Sequence, residues 1–100
     1  MQNYNIRYLP IAEDDVSDIV DYLCEYSTEA ANAFIDELER LENVLPMFPE
    51  SGSLARNRRL QKKGYRMVAI GDYLLFYTLH DECIYIMRVI HGKRDYMSLL

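Results

Sequence analysis

The chain has 100 residues, of which 50% are hydrophobic and 27% charged, and its formal net charge at pH 7 is −5. This length predicts a single globular domain over residues 1–100, and no repeat or linker indicates a second one. The longest apolar run is too short to span a membrane, and four acids among the first twenty residues argue against a signal peptide. We therefore expect a cytoplasmic protein without a membrane partner.

The cysteines and histidines do not form a pattern typical of a metal site. Cys24 and Cys83 lie in separate predicted elements, and we expect both to be small buried side chains in a reducing compartment, with a disulfide between them as the less favoured alternative. His80 and His91 have no suitable cluster of acids or cysteines around them in the sequence. Glycine-rich phosphate loops and nucleophile turns are absent from the sequence. The sequence therefore predicts no metal and no cofactor.

The N-terminal half predicts a strand followed by two helices. Polar and apolar side chains alternate around residues 4–8, which predicts a strand at 3–9. Pro10 ends this strand and can open a helix, which an apolar stripe places at residues 11–25. Ser27 or Thr28 can cap the second helix. The short link predicts an antiparallel hairpin. The apolar stripe of the second helix contains Ala30, Phe34, Leu38, Leu41 and Leu45.

The charges divide the chain into an acidic and a basic half. Residues 1–55 contain 12 acids and two bases, whereas residues 56–100 contain nine bases and four acids. Residues 46–63 are the least regular segment, and residues 56–66 contain six bases and no acid. This asymmetry suggests a basic working surface beside an acidic covering layer.

The C-terminal part, from residue 64 to residue 95, predicts three antiparallel strands rich in Val, Ile, Leu, Phe and Tyr. Gly71-Asp72 supplies a two-residue turn, and residues 80–82 supply a weaker turn of three residues. The first turn places Arg66, Val68 and Ile70 opposite Tyr77, Leu75 and Tyr73, in that order.

The two faces of this sheet are predicted to have different roles. The three-residue turn adds Tyr85, Met87 and Val89 to the face of Arg66. The opposite face is the better candidate for packing against the helices, and it contains Met67, Ala69, Leu74, Phe76, Ile84, Ile86 and Ile90. A one-residue slip at the second turn would invert the last strand. Arg88 lies among the buried set, so either it reaches an acid or the slip has occurred.

The face left open would combine tyrosines with bases. Tyr73, Tyr77 and Tyr85 would lie beside Arg66, while Arg59, His91 and Arg94 would approach from flanking loops. Tyrosine offers apolar area with a polar tip, so this surface can bind a peptide or single-stranded RNA. His91 is the plausible proton donor or acceptor among these residues.

The order strand, helix, helix, basic loop and three-strand meander resembles the ParE/RelE superfamily of bacterial toxins, the toxin halves of type II toxin–antitoxin (plasmid stabilisation) modules. The similarity covers nearly the whole chain. Its most specific parts are LPMFPESG, LQKKGYRMVAIGDYLLFY and IYIMRVIHGKRD. The resemblance implies an α+β fold in which a helical hairpin packs on one face of an antiparallel sheet, with a strand–helix hairpin–three-strand meander order.

Two activities occur in that superfamily. RelE-like members cut messenger RNA in the ribosomal A site, whereas ParE-like members lack most of the required bases and poison DNA gyrase. By motif, Arg66 and Arg94 match two arginines of the RNase pattern, and Arg59 matches one of its two lysines. Asn57 stands in place of the second lysine, and Leu100 stands roughly where the RNases have a tyrosine. Catalytic candidates for an RNase are therefore Arg59, Arg66, His91 and Arg94.

The resemblance implies a ParE-like poison of DNA gyrase that a cognate antitoxin neutralises. The alternatives are a RelE-like ribosome-dependent mRNA endoribonuclease, which would be an enzyme, and a non-toxic protein-interaction module of the same fold. The antitoxin is expected along the helical hairpin and the adjacent sheet edge, giving a toxin–antitoxin hetero-oligomer. The predicted binding residues are Arg66, Tyr73, Tyr77, Tyr85, Lys93, Arg94 and Tyr96.

Overall fold

A five-stranded sheet forms the centre of the computed structural model, which describes residues 3–100; residues 1 and 2 of the predicted domain lie outside the described part. The elements are β1 (Asn5–Tyr8), α1 (Pro10–Tyr26), α2 (Thr28–Val44), β2 (Ser53–Leu54), α3 (Arg58–Lys62), β3 (Arg66–Ile70), β4 (Tyr73–His80), β5 (Cys83–His91) and a 3-10 turn (Tyr96–Ser98). The strand order is β1-β5-β4-β3-β2. β1 pairs with β5 in parallel, and the other neighbours are antiparallel. The predicted α+β class is confirmed.

The two long helices form the predicted hairpin, with Ser27 as their single linking residue. Pro10 occupies the first turn of α1, where its missing N–H costs nothing. The Ser27 hydroxyl accepts a hydrogen bond from the Ala30 N–H at 3.2 Å and so caps α2. Phe34 and Leu41 are buried against the sheet, and each such side chain stabilises the fold by about 2 kcal/mol.

The turn between β3 and β4 is the predicted two-residue turn. Arg66 pairs with Tyr77 and Ile70 pairs with Tyr73. Gly71 has a φ of 57°, a conformation that glycine adopts without strain. The predicted register of these two strands is therefore confirmed.

The turn between β4 and β5 is shorter than predicted. His80 pairs with Cys83, so only Asp81 and Glu82 form the turn. Both have positive φ values, 49° and 61°, as a tight hairpin turn with the right-handed twist of its strands requires. The predicted three-residue turn is wrong because the sequence has no glycine here to mark the two turn positions.

A bulge in β5 then changes which residues share a face. Phe76 pairs with Arg88, but its neighbour Tyr77 pairs with Ile86, so Met87 is an extra residue without an opposite partner. The bulge is the reason that Ile86 and the later Val89 can both join the core beneath the helices.

The helices cover the face of β4 that carries Tyr73, Leu75 and Tyr77, not the face that the sequence predicted. Tyr77 and Leu75 are almost completely buried there. Of the predicted helix-facing residues, only Ile84 and Ile86 lie in this core. The sheet residues of this core with almost no exposure are Ile70, Leu75, Tyr77, Ile84, Ile86 and Val89.

The reverse face is also covered, which explains the wrong assignment. Leu60 of α3 and the residues around Tyr96 pack over Phe76 and Ile90, and we call this second apolar cluster the reverse core. Both faces of the sheet are therefore apolar, and a count of apolar residues could not identify the one beneath the long helices. The predicted helix-facing residues Met67, Leu74, Phe76 and Ile90 lie here instead, and Ala69 is exposed. Tyr85 and Met87 are also not on the face of Tyr77: Tyr85 pairs with Thr78, and Met87 packs with the reverse core.

Arg88 reaches an acid on a helix, and the one-residue slip at the second turn has occurred as well, so both sequence alternatives hold. Its Nε and Nη2 donate to the two carboxylate oxygens of Asp15 in α1, at 2.7 and 3.0 Å. The bond to this carboxylate raises the pKa of Arg88.

The irregular segment and the cysteines depart partly from the predictions. Residues 46–63 contain β2 and α3, which the sequence did not predict. Cys83 is buried as expected, but Cys24 is exposed because it lies on the outer side of α1. Within residues 3–100, no helix is long and apolar enough to cross a membrane.

Candidate functional site

The predicted open face of tyrosines and arginines does not exist as one surface. Tyr73 lies half-buried beneath the helical hairpin, with its ring centroid 5.5 Å from that of Phe34. Tyr77 has no exposed surface at all. The helices therefore occupy the space in front of two of the three tyrosines of that face.

Tyr77 and Arg66 hold the loop that follows α2. The Tyr77 hydroxyl donates to the Pro49 carbonyl at 2.8 Å and accepts from the Gly52 N–H at 2.9 Å. Arg66 Nη1 donates to the carbonyls of Glu50 and Gly52 at 3.2 and 2.8 Å. A Cβ at Gly52 would approach the Tyr77 hydroxyl to 2.6 Å, so only glycine fits this contact. The LPMFPESG stretch is thus fixed by two side chains of the sheet.

Arg59 is hydrogen-bonded to the C-terminal segment on the reverse side of the sheet. Its Nη2 donates to the Met97 carbonyl at 2.6 Å. Tyr96 packs its ring on Phe76, with 5.2 Å between centroids. Asn57 accepts a hydrogen bond from the Leu60 N–H at 3.2 Å and caps α3. These side chains therefore have structural contacts away from the helical hairpin.

Tyr85 is separated from the other predicted binding residues. It lies beside the β4–β5 turn on the face opposite to Tyr77, and its ring is 6.3 Å from that of His80. The structure does not bring it together with Tyr73.

The structure does bring Tyr73, His91, Lys93 and Arg94 to one end of the sheet. The ring of His91 lies 5.2 Å from that of Tyr73, and its Nδ1 accepts a hydrogen bond from the Lys93 N–H at 3.1 Å. Lys93 and Arg94 are exposed in the turn that follows β5. Their positive charges therefore lie in the same short segment as His91.

A groove between the helical hairpin and the β3–β4 turn leads to this end. It consists of two clefts of about 430 and 420 Å³ that share Leu23, Asp72 and Tyr73. We call their combination the hairpin groove. Its remaining lining residues are Tyr22, Tyr26, Ala30, Ala33, Phe34, Glu37, Ile70, Gly71 and His91.

The hairpin groove has an apolar floor and an aromatic rim. Phe34 and Ile70 form buried parts of its lining, and Ala33 has a side chain too small to fill it. Tyr22 and Tyr26 are 56% and 78% exposed, with 5.9 Å between their ring centroids. Sequence reasoning missed this tyrosine pair, although its spacing of four residues just outside the α1 stripe could have revealed it.

A family comparison decides the identity of this arrangement. The family model described as ParE toxin of type II toxin–antitoxin system, parDE, matches residues 6–96. The chain belongs to the ParE toxin family. The resemblance inferred from the sequence motifs is therefore confirmed for almost the whole chain.

Solved structures show the same fold as this ParE-family chain. A chain from the chromosomal ParDE TA system of P. aeruginosa superposes with a TM-score of 0.66 at 14% identity, covering 90% of this chain and 97% of that one. A chain of the toxin–antitoxin complex RelBE2 from Mycobacterium tuberculosis superposes with a TM-score of 0.62 at 22% identity, covering 89% and 98%. No curated protein matches this sequence significantly. At these identities the solved structures establish the fold.

Proposed function

We propose that this ParE-family toxin poisons DNA gyrase rather than cutting messenger RNA. The observation that carries this proposal is that two of the RNase candidate arginines donate their side-chain hydrogen bonds to backbone carbonyls of the chain itself. Arg59 donates to the Met97 carbonyl, and Arg66 donates to the Glu50 and Gly52 carbonyls. Guanidinium groups held in this way are less available to stabilise the charge that develops on phosphate during RNA cleavage.

The substituted positions support the same proposal. Asn57, which stands in place of an RNase lysine, is engaged as the cap of α3. Leu100, in place of a tyrosine, packs at the edge of the reverse core. Neither side chain can supply a positive charge or a proton. The remaining candidates, His91 and Arg94, would have to carry out the cleavage by themselves.

We further propose that a cognate antitoxin binds in the hairpin groove. Two solved structures of the same fold are from toxin–antitoxin systems. The groove offers an apolar floor with Phe34 and an exposed tyrosine rim, which suits the apolar face of an amphipathic helix. Its far end reaches His91, beside Lys93 and Arg94. A segment bound there would cover these bases and so prevent their contact with a target.

The proposal is tested with purified protein in a gyrase supercoiling and DNA cleavage assay, alongside a ribosome-dependent mRNA cleavage assay. We expect gyrase-dependent double-strand breaks and no cut messenger. Adding the product of the neighbouring antitoxin gene should abolish the breaks. Cut ribosome-bound messenger with unaffected gyrase would instead establish the endoribonuclease, and the absence of both effects, with healthy expressing cells, would indicate the interaction module.

A further inference from the structure

The short helix α3 carries the densest positive charge of the molecule. Arg56, Arg58, Lys62 and Lys63 are all exposed, and we call them the α3 basic patch; the neighbouring Arg59 is left out because its guanidinium donates to the Met97 carbonyl. Between Glu50 and Asp72 the sequence contains no acid. Because α3 lies on the reverse face of the sheet, the patch is on the side away from the acidic helical hairpin.

The geometry of α3 directs its bases outwards. Leu60 is completely buried and anchors the helix to the reverse core. Arg58 and Lys62 are four residues apart, so they lie on the same side of the helix, opposite Leu60. Within residues 3–100, the ion pairs join Arg40 to Glu37 and Arg88 to Asp15, and none involves this patch. The charges of the α3 basic patch are therefore not neutralised within the described part of the chain.

The patch suits phosphate groups better than a protein segment. The large apolar side chains that are exposed on the described surface are Ile11, Tyr22, Tyr26, Met47, Phe48 and Leu54, and none of them belongs to α3. An acidic peptide would therefore lack apolar anchors on α3 itself, and the exposed apolar side chain nearest to it in the sequence is Leu54 of β2. Single-stranded nucleic acid would lack exposed aromatic rings on α3 for base stacking. The phosphate backbone of a duplex needs neither, because closely spaced positive charges are sufficient to bind it.

We propose that the α3 basic patch contacts the phosphate backbone of duplex DNA, independently of its sequence. This inference rests on the proposed function in one respect, because duplex DNA is the substrate that gyrase holds. The patch would then contact the DNA beside the enzyme, while the end of the sheet at Arg94 remains free for the protein target.

The test measures binding of a fluorescent duplex of about 30 base pairs by anisotropy, between about 50 and 200 mM salt. For the unmodified protein we expect the logarithm of the affinity to fall with the logarithm of the salt concentration with a slope of about −4. The double variant R58A/K62A should bind about tenfold more weakly at the lowest salt, with a slope smaller by about 2. The charge-conserving variant R58K/K62R should retain both the affinity and the slope.

A matched control separates a local patch from overall charge. R7A/R40A removes the same number of charges at exposed positions outside α3, and it should leave the slope unchanged. Equal losses in both double variants, or no salt-dependent binding by the unmodified protein, would overturn the inference. Equally tight binding of polyglutamate would overturn it too, because the patch would then be a general site for acidic chains. This measurement contains no gyrase, so DNA binding without any gyrase effect would refute the proposed function and leave the α3 contact established.

Discussion

Arg88 in β5 and Asp15 in α1 form a bidentate ion pair, although they are 73 residues apart in the sequence. The same carboxylate also accepts the Val89 N–H at 3.0 Å. β1 ends at Tyr8, opposite Ile86, so the second half of β5 has no neighbouring strand on that side. Asp15 therefore supplies the acceptor that a longer β1 would have provided, and it attaches the helical hairpin to the sheet.

Replacing Asp15 should destabilise the protein through two separate losses. D15A leaves the Arg88 guanidinium, whose side chain is only 15% exposed, without its anion, and leaves the Val89 N–H without an acceptor. We expect the free energy of unfolding to fall by about 3 kcal/mol. Urea denaturation followed by circular dichroism measures this change. D18A, at an exposed position on the same helix, should change it by less than about 0.5 kcal/mol. A comparable loss in both variants would refute the role assigned to Asp15.

Removing the Tyr77 hydroxyl should loosen the loop after α2. Y77F leaves the Gly52 N–H and the Pro49 carbonyl without their partner, and we expect a loss of about 2 kcal/mol in unfolding free energy. Limited proteolysis should then cut within residues 47–53 faster than in the unmodified protein. Y96F removes a hydroxyl that has no hydrogen bond within the described residues, so it is the matched control. Unchanged proteolysis of Y77F would contradict the role of this hydroxyl.

The sequence predicted those parts of the fold that local chemistry determines. Ser27 as a helix cap and Gly71 as a turn residue have their own physical signals, and both predictions are confirmed. The face beneath the helices depends instead on Leu60 and the C-terminal segment, which cover the reverse side. The nearly continuous apolar run of β4 is typical of a strand buried on both faces, but it does not show which face lies beneath the long helices.

The candidate site was predictable to a similar extent. The GKRD motif located Lys93 and Arg94 correctly in an exposed turn, because charged residues after a glycine at a strand end favour a loop. The structural use of Arg66 was not predictable, since its partners are backbone carbonyls of a loop 14–16 residues away. Whether the predicted binding residues contact a target stays a prediction.

The protein should lose stability in alkaline solution. Burial raises the pKa of Tyr77 above its ordinary value of 10.0, and burial, with the Glu42 carboxylate, also raises the pKa of Tyr8. A raised pKa in the folded state means that folding favours the neutral hydroxyl. The contribution of these neutral hydroxyls to the free energy of unfolding is fully present below pH 10. It is lost as the pH rises through the raised pKa values of the folded state.

Denaturant midpoints measured from pH 8 to pH 11 would test this dependence, with the onset of the loss near the unperturbed tyrosine pKa of about 10. Y77F should start from a lower midpoint and lose less of it above that onset, because one of the shifted hydroxyls is gone. An equally steep alkaline loss in Y77F would show that Tyr77 does not contribute.

Charge reversal at Arg94 should reduce toxicity without affecting the fold. Its side chain is exposed and takes part in no hydrogen bond or ion pair within the described residues, in contrast to those of Arg59 and Arg66. For R94E we expect the same growth arrest to need about tenfold more protein, equivalent to about 1.4 kcal/mol of target binding. The unfolding free energy should change by less than about 0.5 kcal/mol. R7E makes the same change of charge on the exposed part of β1 and should arrest growth normally; full toxicity of R94E would exclude this end of the sheet from the target contact.

Filling the hairpin groove should separate antitoxin binding from toxicity. Ala33 lines the groove and is itself exposed, so the indole of A33W can enter the cleft without displacing a buried side chain. We expect the affinity for a cognate antitoxin, measured by calorimetry, to fall by at least about tenfold. Growth arrest should persist, and co-expression of the antitoxin should no longer relieve it. N32W places the same indole at the adjacent exposed position of α2, which does not line the groove, and its arrest should still be relieved. If A33W binds the antitoxin as tightly as N32W does, the antitoxin occupies another surface.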